Sequence, residues 1–120
     1  MDHRFWTLLD ELIATSRLVI DRPTGSSHPR YPDAIYPVSY GYLEGTSGGD
    51  GAGIDVWIGS SSSVVADAVA CAIDPAKRDA EIKILIGCSA DDRRRIMEFM
   101  NRGAGGTILV ERPTPSRGSP

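Results

Sequence analysis

Apolar residues along positions 4–15 recur at helical spacing. Phe5, Leu8, Leu9, Leu12 and Ile13 share one face, and Asp10 and Glu11 fall on the other, which predicts an amphipathic helix. The period then changes. RLVID, 17–21, is short and β-branched and predicts a strand. In IYPVSYGYLEG, 35–45, Tyr36, Val38, Tyr40 and Tyr42 alternate as in a strand, with Pro37 marking an edge or an irregularity. IDVWIGS, 54–60, predicts another strand. SVVADAVACAID, 63–74, is apolar enough for a strand, although its alanines also permit a helix. EIKILIGC, 81–88, sends Ile82, Ile84 and Ile86 one way and Glu81 and Lys83 the other. SADD opens a helix over 89–102, with Ser89 as N-cap and Asp92 closing a capping box. TILVER, 107–112, predicts the last strand.

Between these segments lie Pro-, Gly- and Ser-rich loops at 22–33 and 46–53, and a turn at 75–80. PTPSRGSP carries no core-forming residues, so 114–120 is expected to be a disordered tail behind a single domain spanning 1–113. The expected fold is α+β and mainly β. Short connections favour antiparallel strands curled into a small sheet or barrel, flanked by two helices.

Composition adds exclusions. Of the 120 residues, 41% are hydrophobic and 24% charged, as in ordinary globular chains. The net charge of −3 argues against a nucleic-acid partner. No apolar run approaches membrane-spanning length, and the acidic interruptions near the N-terminus do not suit a signal peptide. A cytoplasmic location with no membrane partner is the expectation. Cys71 and Cys88 sit in apolar stretches at no zinc spacing and read as reduced, buried thiols.

The chemistry-bearing residues are carboxylates near strand ends. In DGAGIDVW, Asp50 and Asp55 flank a run of small residues, and Asp74 and Asp79 bracket the next turn. Either pair can be a plain turn device, since aspartate bonds to nearby backbone amides. Either can also offer oxygen ligands to a hard cation such as Mg²⁺, although spacing alone favours the turn. Tyr36 and Tyr40 read as packing residues or as hydroxyl donors to an oxyanion. Arg22, Arg30, Lys77, Arg78 and Lys83 are the nearby cations, and Lys83 stands out by alternating with apolar residues on a strand. His3 and His28 read as exposed. Ser26 and Ser27 lack a Ser-His-Asp context, and the glycine-rich loop lacks the Lys-Ser/Thr ending of a P-loop.

Taken in order, IDRPTGS, YPVSYGYLEGT, DGAGIDVW and DPAKRDAEIKI, together with the helix ADDRRRIMEFMN, resemble the soluble Mg²⁺-dependent inorganic pyrophosphatases of the single-barrel type, over roughly residues 17–100. The resemblance implies a small closed, OB-like β-barrel that hydrolyses pyrophosphate, or a related phosphoanhydride, to phosphate. It implies Mg²⁺, with Mn²⁺ as the alternative, and assembly into homo-oligomers. Carried over by position, Asp50, Asp55 and Asp79 would form a tight metal site, and Asp74 would bind a metal arriving with the substrate. Asp21 stands where the family has a glutamate. Tyr36, Tyr40, Arg30 and Lys83 would contact phosphate, and Asp55 would serve catalysis, with Glu81 or Asp74 taking over from a water-activating base that this chain lacks.

Departures from the family pattern thin the water-activating and phosphate-holding set. Ala52 replaces the middle, water-activating aspartate, Gly53 a proline, Thr24 a lysine, and Pro75 a second carboxylate. Glu81 takes a lysine position, for which Lys83 on the same strand face could substitute. The expected activity is therefore slow hydrolysis. A metal-diphosphate binding or regulatory module, or a hydrolase of another phosphoanhydride such as a nucleotide, are the alternatives.

Overall fold

The computed structural model describes residues 3–48 and 51–114. Helix α1 (His3–Ala14) precedes strands β1 (Arg17–Arg22), β2 (Ser39–Glu44), β3 (Ile54–Ile58), β4 (Ala66–Asp74) and β5 (Asp79–Ile86). Helix α2 (Ala90–Met100) and strand β6 (Gly106–Glu111) follow. Each element predicted from residue periodicity is present. The largest displacement is at β2, which starts at Ser39 instead of position 35. The amide of Tyr36 donates to the Ser26 carbonyl and its own carbonyl accepts from Gly25, so its backbone groups go to the preceding loop; Pro37 has no N–H to give.

The strands form one sheet in the order β1-β2-β3-β5-β4-β6. β3 and β5 run parallel, and the other four pairings are antiparallel. The chain is thus mainly β with two helices, but the expected closed OB-like barrel is not formed. β1 and β6 stand at opposite ends of the order, and no pairing joins them among the described residues. The physical reason lies on the face that closure would turn inward. Leu43, Val56, Val69, Ile84 and Ile86 are buried there against Trp6 and Leu9 of α1, so a helix covers this face in place of the sheet's own far edge.

Strand alternation puts the other face under α2. Trp57, Ala68, Ala70 and Leu85 pack there with Tyr36, Val38, Cys88 and Ile96. Full burial of a large apolar side chain such as Leu85 contributes about 1.5–3 kcal/mol. Gly41 lets β1 cross β2 closely, because a Cβ at that position would run into the Val19 carbonyl, next to the irregularity between Ile20 and Arg22.

Both helices are tied down by specific polar contacts. Ser89 Oγ accepts from the Asp92 amide at 3.0 Å, and Asp92 Oδ2 accepts from the Ser89 amide at 3.0 Å, which is the expected capping box. Asp10 of α1 accepts two bonds from the Arg112 guanidinium, at 2.8 and 2.9 Å. Cys88 is buried and Cys71 half-buried, and both are free thiols. No helix among the described residues is long and apolar enough to cross a membrane. Of the expected tail, 115–120 lie outside the described residues.

Candidate functional site

The alternation of β5 sends Glu81 and Lys83 to the α2 face, as their spacing predicts. On β3, Asp55 and Trp57 point to that face too, and Tyr40 of β2 lies opposite Trp57. The parallel pairing of β3 with β5 then sets Lys83 beside Asp55. Its ammonium donates to Tyr40 Oη at 2.7 Å, to Asp55 Oδ2 at 2.8 Å and to Glu81 Oε1 at 2.6 Å. An ammonium has three N–H donors, and all are used. The side chains of Lys83, Asp55 and Glu81 are 16%, 25% and 18% exposed, so the charges meet in a partly dry setting.

This environment shifts two titrations. Burial works to lower the Lys83 pKa, but Tyr40, Asp55 and Glu81 around the ammonium outweigh burial and raise it above the ordinary lysine value. Burial raises the Tyr40 pKa well above the usual tyrosine range, with Lys83 opposing. Tyr36 is raised as well, by burial, against the pull of Arg22. Lysine stays charged and both phenols stay protonated near neutrality, which leaves the hydroxyls as hydrogen-bond donors.

Glu81, Lys83 and Tyr40 open onto a cleft of about 640 Å³. Asp74 and Asp79, paired across the β4–β5 hairpin, line it as well. Asp74 Oδ1 accepts from the amides of Ala76 at 3.0 Å and Lys77 at 3.3 Å, so this aspartate braces its turn. Lys77 and Arg102 also line the cleft, and neither side chain pairs with a carboxylate among the described residues. Arg102 lies over the Phe99 ring at 5.9 Å.

His28, Tyr31, Phe99 and Arg102 were not foreseen in the sequence as part of this site. Residues 22–33 read there as plain loop and 35–45 as strand, yet residues 25–36 fold back on themselves as a flap. Gly25 bonds to Tyr36, Tyr36 to Ser26, and His28 to Ala34, with a bridge between Ser27 and Ile35. The flap brings His28 and Tyr31 to the cleft, although His28 reads in sequence as an exposed loop residue; it is half-buried. Phe99, expected only as apolar helix surface, also lines the cleft. The usable signal was HPRYP, two aromatic rings in a Pro-braced segment just ahead of the Tyr36 strand.

The proposed site residues separate into three groups. Tyr40, Asp55, Glu81 and Lys83 are in direct contact. Tyr36, Asp74 and Asp79 share the cleft with Tyr40, Glu81 and Lys83, whereas Asp55 is not among its lining residues. Arg30 is exposed in the flap, where its amide donates to His28 Nδ1 at 3.0 Å, and it is not among the residues lining the cleft. Asp21 is exposed on β1. Asp50 lies outside the described residues.

As metal donors, the carboxylates are all oxygen ligands, which suits a hard cation. Geometry is less favourable: among the described residues, no three His, Cys, Asp or Glu side chains are placed to hold one ion. Asp55 and Glu81 instead share the Lys83 ammonium. No family model matches the chain, and neither a curated protein nor a solved structure matches it.

Proposed function

We propose that this chain binds and hydrolyses a phosphoanhydride, with pyrophosphate as the substrate the sequence resemblance names. The observation that carries the reading is the Lys83 ammonium, held among Tyr40, Asp55 and Glu81, at a cleft that also holds two carboxylates and two cations with no carboxylate partner among the described residues. A diphosphate needs cations and hydroxyl donors to hold its oxygens, and a carboxylate to take a proton from the attacking water.

Lys83 has no spare donor, so a phosphate oxygen can bind it only by displacing one of its three partners. Glu81, which lines the cleft, is the natural one to yield. Freed from the ammonium, its carboxylate becomes a proton acceptor, in place of the aspartate that Ala52 removes. Water would then add to one phosphorus, the bridging P–O bond would break, and the water's proton would pass to Glu81. Tyr36 and Tyr40 would donate to the phosphates. Lys77 and Arg102 at the cleft would neutralise the leaving group and so take over the phosphate contact that the resemblance gives to Arg30.

Mg²⁺, or Mn²⁺ in its place, belongs to the same proposal, with Asp50, Asp55, Asp74 and Asp79 as the carboxylates to hold it. When bound, such an ion supplies positive charge on the phosphates and lowers the pKa of bound water.

The test is a phosphate-release assay on purified protein with pyrophosphate and Mg²⁺. Release is expected, and Glu81→Gln is expected to slow it about 10²–10⁴-fold, the usual worth of a positioned proton acceptor. Binding of pyrophosphate with no release would replace hydrolysis by the binding-module reading. Neither binding nor release would overturn the proposal.

A further inference from the structure

The cleft is far larger than a bare diphosphate requires. Volumes of roughly 300–1,000 Å³ suit ligands of drug size, and this one is about 640 Å³. Its lining is also divided by chemistry. Lys83, Glu81, Asp74, Asp79, Lys77 and Arg102 supply the charges, and a run of aromatic rings leads from Lys83 toward the flap. The Tyr40 hydroxyl touches Lys83. The Tyr40 ring lies 5.5 Å from Tyr36, and Tyr36 stacks parallel to His28 at 6.1 Å. His28 in turn lies 5.1 Å from Tyr31. The run thus leads from the ammonium to a Tyr31 ring that is 63% exposed.

An exposed aromatic ring is unremarkable when isolated. Tyr31 differs because the flap that carries it is fixed by backbone hydrogen bonds on both arms. The orientation of His28 is fixed as well. Its Nδ1 accepts from the Arg30 amide, so in the neutral ring the proton sits on Nε2. The mouth of the cleft therefore presents preformed aromatic surface, with little ordering left to do on binding.

Resting on the phosphoanhydride reading above, we infer that the site takes a nucleoside diphosphate, with the diphosphate at Lys83 and the base stacked at the His28–Tyr31 mouth. Base-on-aromatic stacking is strong and tolerant of which base is present. The diphosphate end gives affinity for any phosphoanhydride, and the aromatic mouth favours those that carry a base.

A matched pair of non-hydrolysable probes tests this in the presence of Mg²⁺. Methylenediphosphonate carries the diphosphate end alone, and α,β-methylene-ADP adds adenosine to it. Calorimetric titration is expected to show the nucleotide probe binding about tenfold tighter or more. Tyr31→Ala is expected to erase that advantage and leave methylenediphosphonate binding unchanged, which also shows that the variant is folded. Tyr31→Trp is expected to keep it. Equal affinity for the two probes in the native protein would overturn the inference and leave the phosphoanhydride reading standing. So would a nucleotide advantage that survives Tyr31→Ala. Failure of both probes to bind would overturn the two readings together.

Discussion

At the scale of single residues, the largest electrostatic commitment is Lys83. Replacing it with methionine would leave Asp55 and Glu81 close together and without their shared counter-charge. Breaking a fully buried pair costs about 3–5 kcal/mol, and exposed pairs are worth under about 1. These side chains are partly exposed, so Lys83→Met should destabilise by about 1–3 kcal/mol, between the two. The pH dependence has a definite sign. The folded-state pKa of Lys83 is raised, so its contribution is complete below the unfolded value of about 10.4 and is lost as pH climbs beyond it. There the unfolded chain sheds a proton that the folded chain keeps. Tyr40, also raised, adds a loss of the same sign above the ordinary tyrosine range. Urea unfolding between pH 8 and 11 should show stability falling at the alkaline end, and Lys83→Met should flatten that fall. An unchanged slope in the variant would show that the ammonium contributes nothing of this kind.

At the scale of elements, α2 depends on one side chain more than its sequence suggests. SADD announces the capping box, but it does not announce that Asp92 Oδ2 also accepts from the amide and the hydroxyl of Ser60, both at 3.1 Å. Asp92 therefore joins the helix start to the loop after β3 as well as closing the cap. Burial would raise its pKa, and the bonds from Ser60 and Ser89 outweigh that and lower it. Its stabilisation is accordingly present above the ordinary aspartate range and is lost as pH falls through and below it. Ser89→Ala should cost about 1 kcal/mol, as cap removals do. Asp92→Ala should cost more, about 2 kcal/mol, because the Ser60 donors lose their partner as well. Thermal unfolding of the two variants at neutral pH checks the ranking, and equal losses would mean that the Ser60 bonds carry no weight. The helices and strands themselves were legible in the sequence because each has its own period, from Phe5–Ile13 to Ile82–Ile86. The flap was not, because backbone bonds such as Gly25 to Tyr36 leave no periodic trace in a Pro/Gly-rich segment. Nor was the parallel pairing of β3 with β5, which joins segments separated by the whole of β4.

At the scale of the molecule, the site depends on that long-range pairing. Glu81 and Lys83 could be placed on one strand face from alternation alone, but their meeting with Asp55 requires β3 to lie directly beside β5. Whether the sheet closes is not legible in the sequence for a related reason. Strand alternation shows that a face is apolar, and says nothing about whether a far strand or a helix such as α1 will cover it. An open sheet leaves the α2 face accessible at the cleft, and the charges there bear on how a diphosphate can enter. Of the cations lining it, Lys83 is already saturated by Tyr40 and two carboxylates, so a diphosphate brings negative charge to a place that already holds Asp74, Asp79 and Glu81. Added positive charge must accompany it if binding is to be favourable. Ligand binding to the folded state alone stabilises by about 2.7 kcal/mol at a hundredfold excess over Kd. For a domain near this size that is about 10 °C in Tm. Methylenediphosphonate with Mg²⁺ should therefore raise Tm by about that much, and the same compound with a chelator should raise it far less. An equal rise in both conditions would mean that Lys77, Lys83 and Arg102 suffice and that no divalent ion takes part.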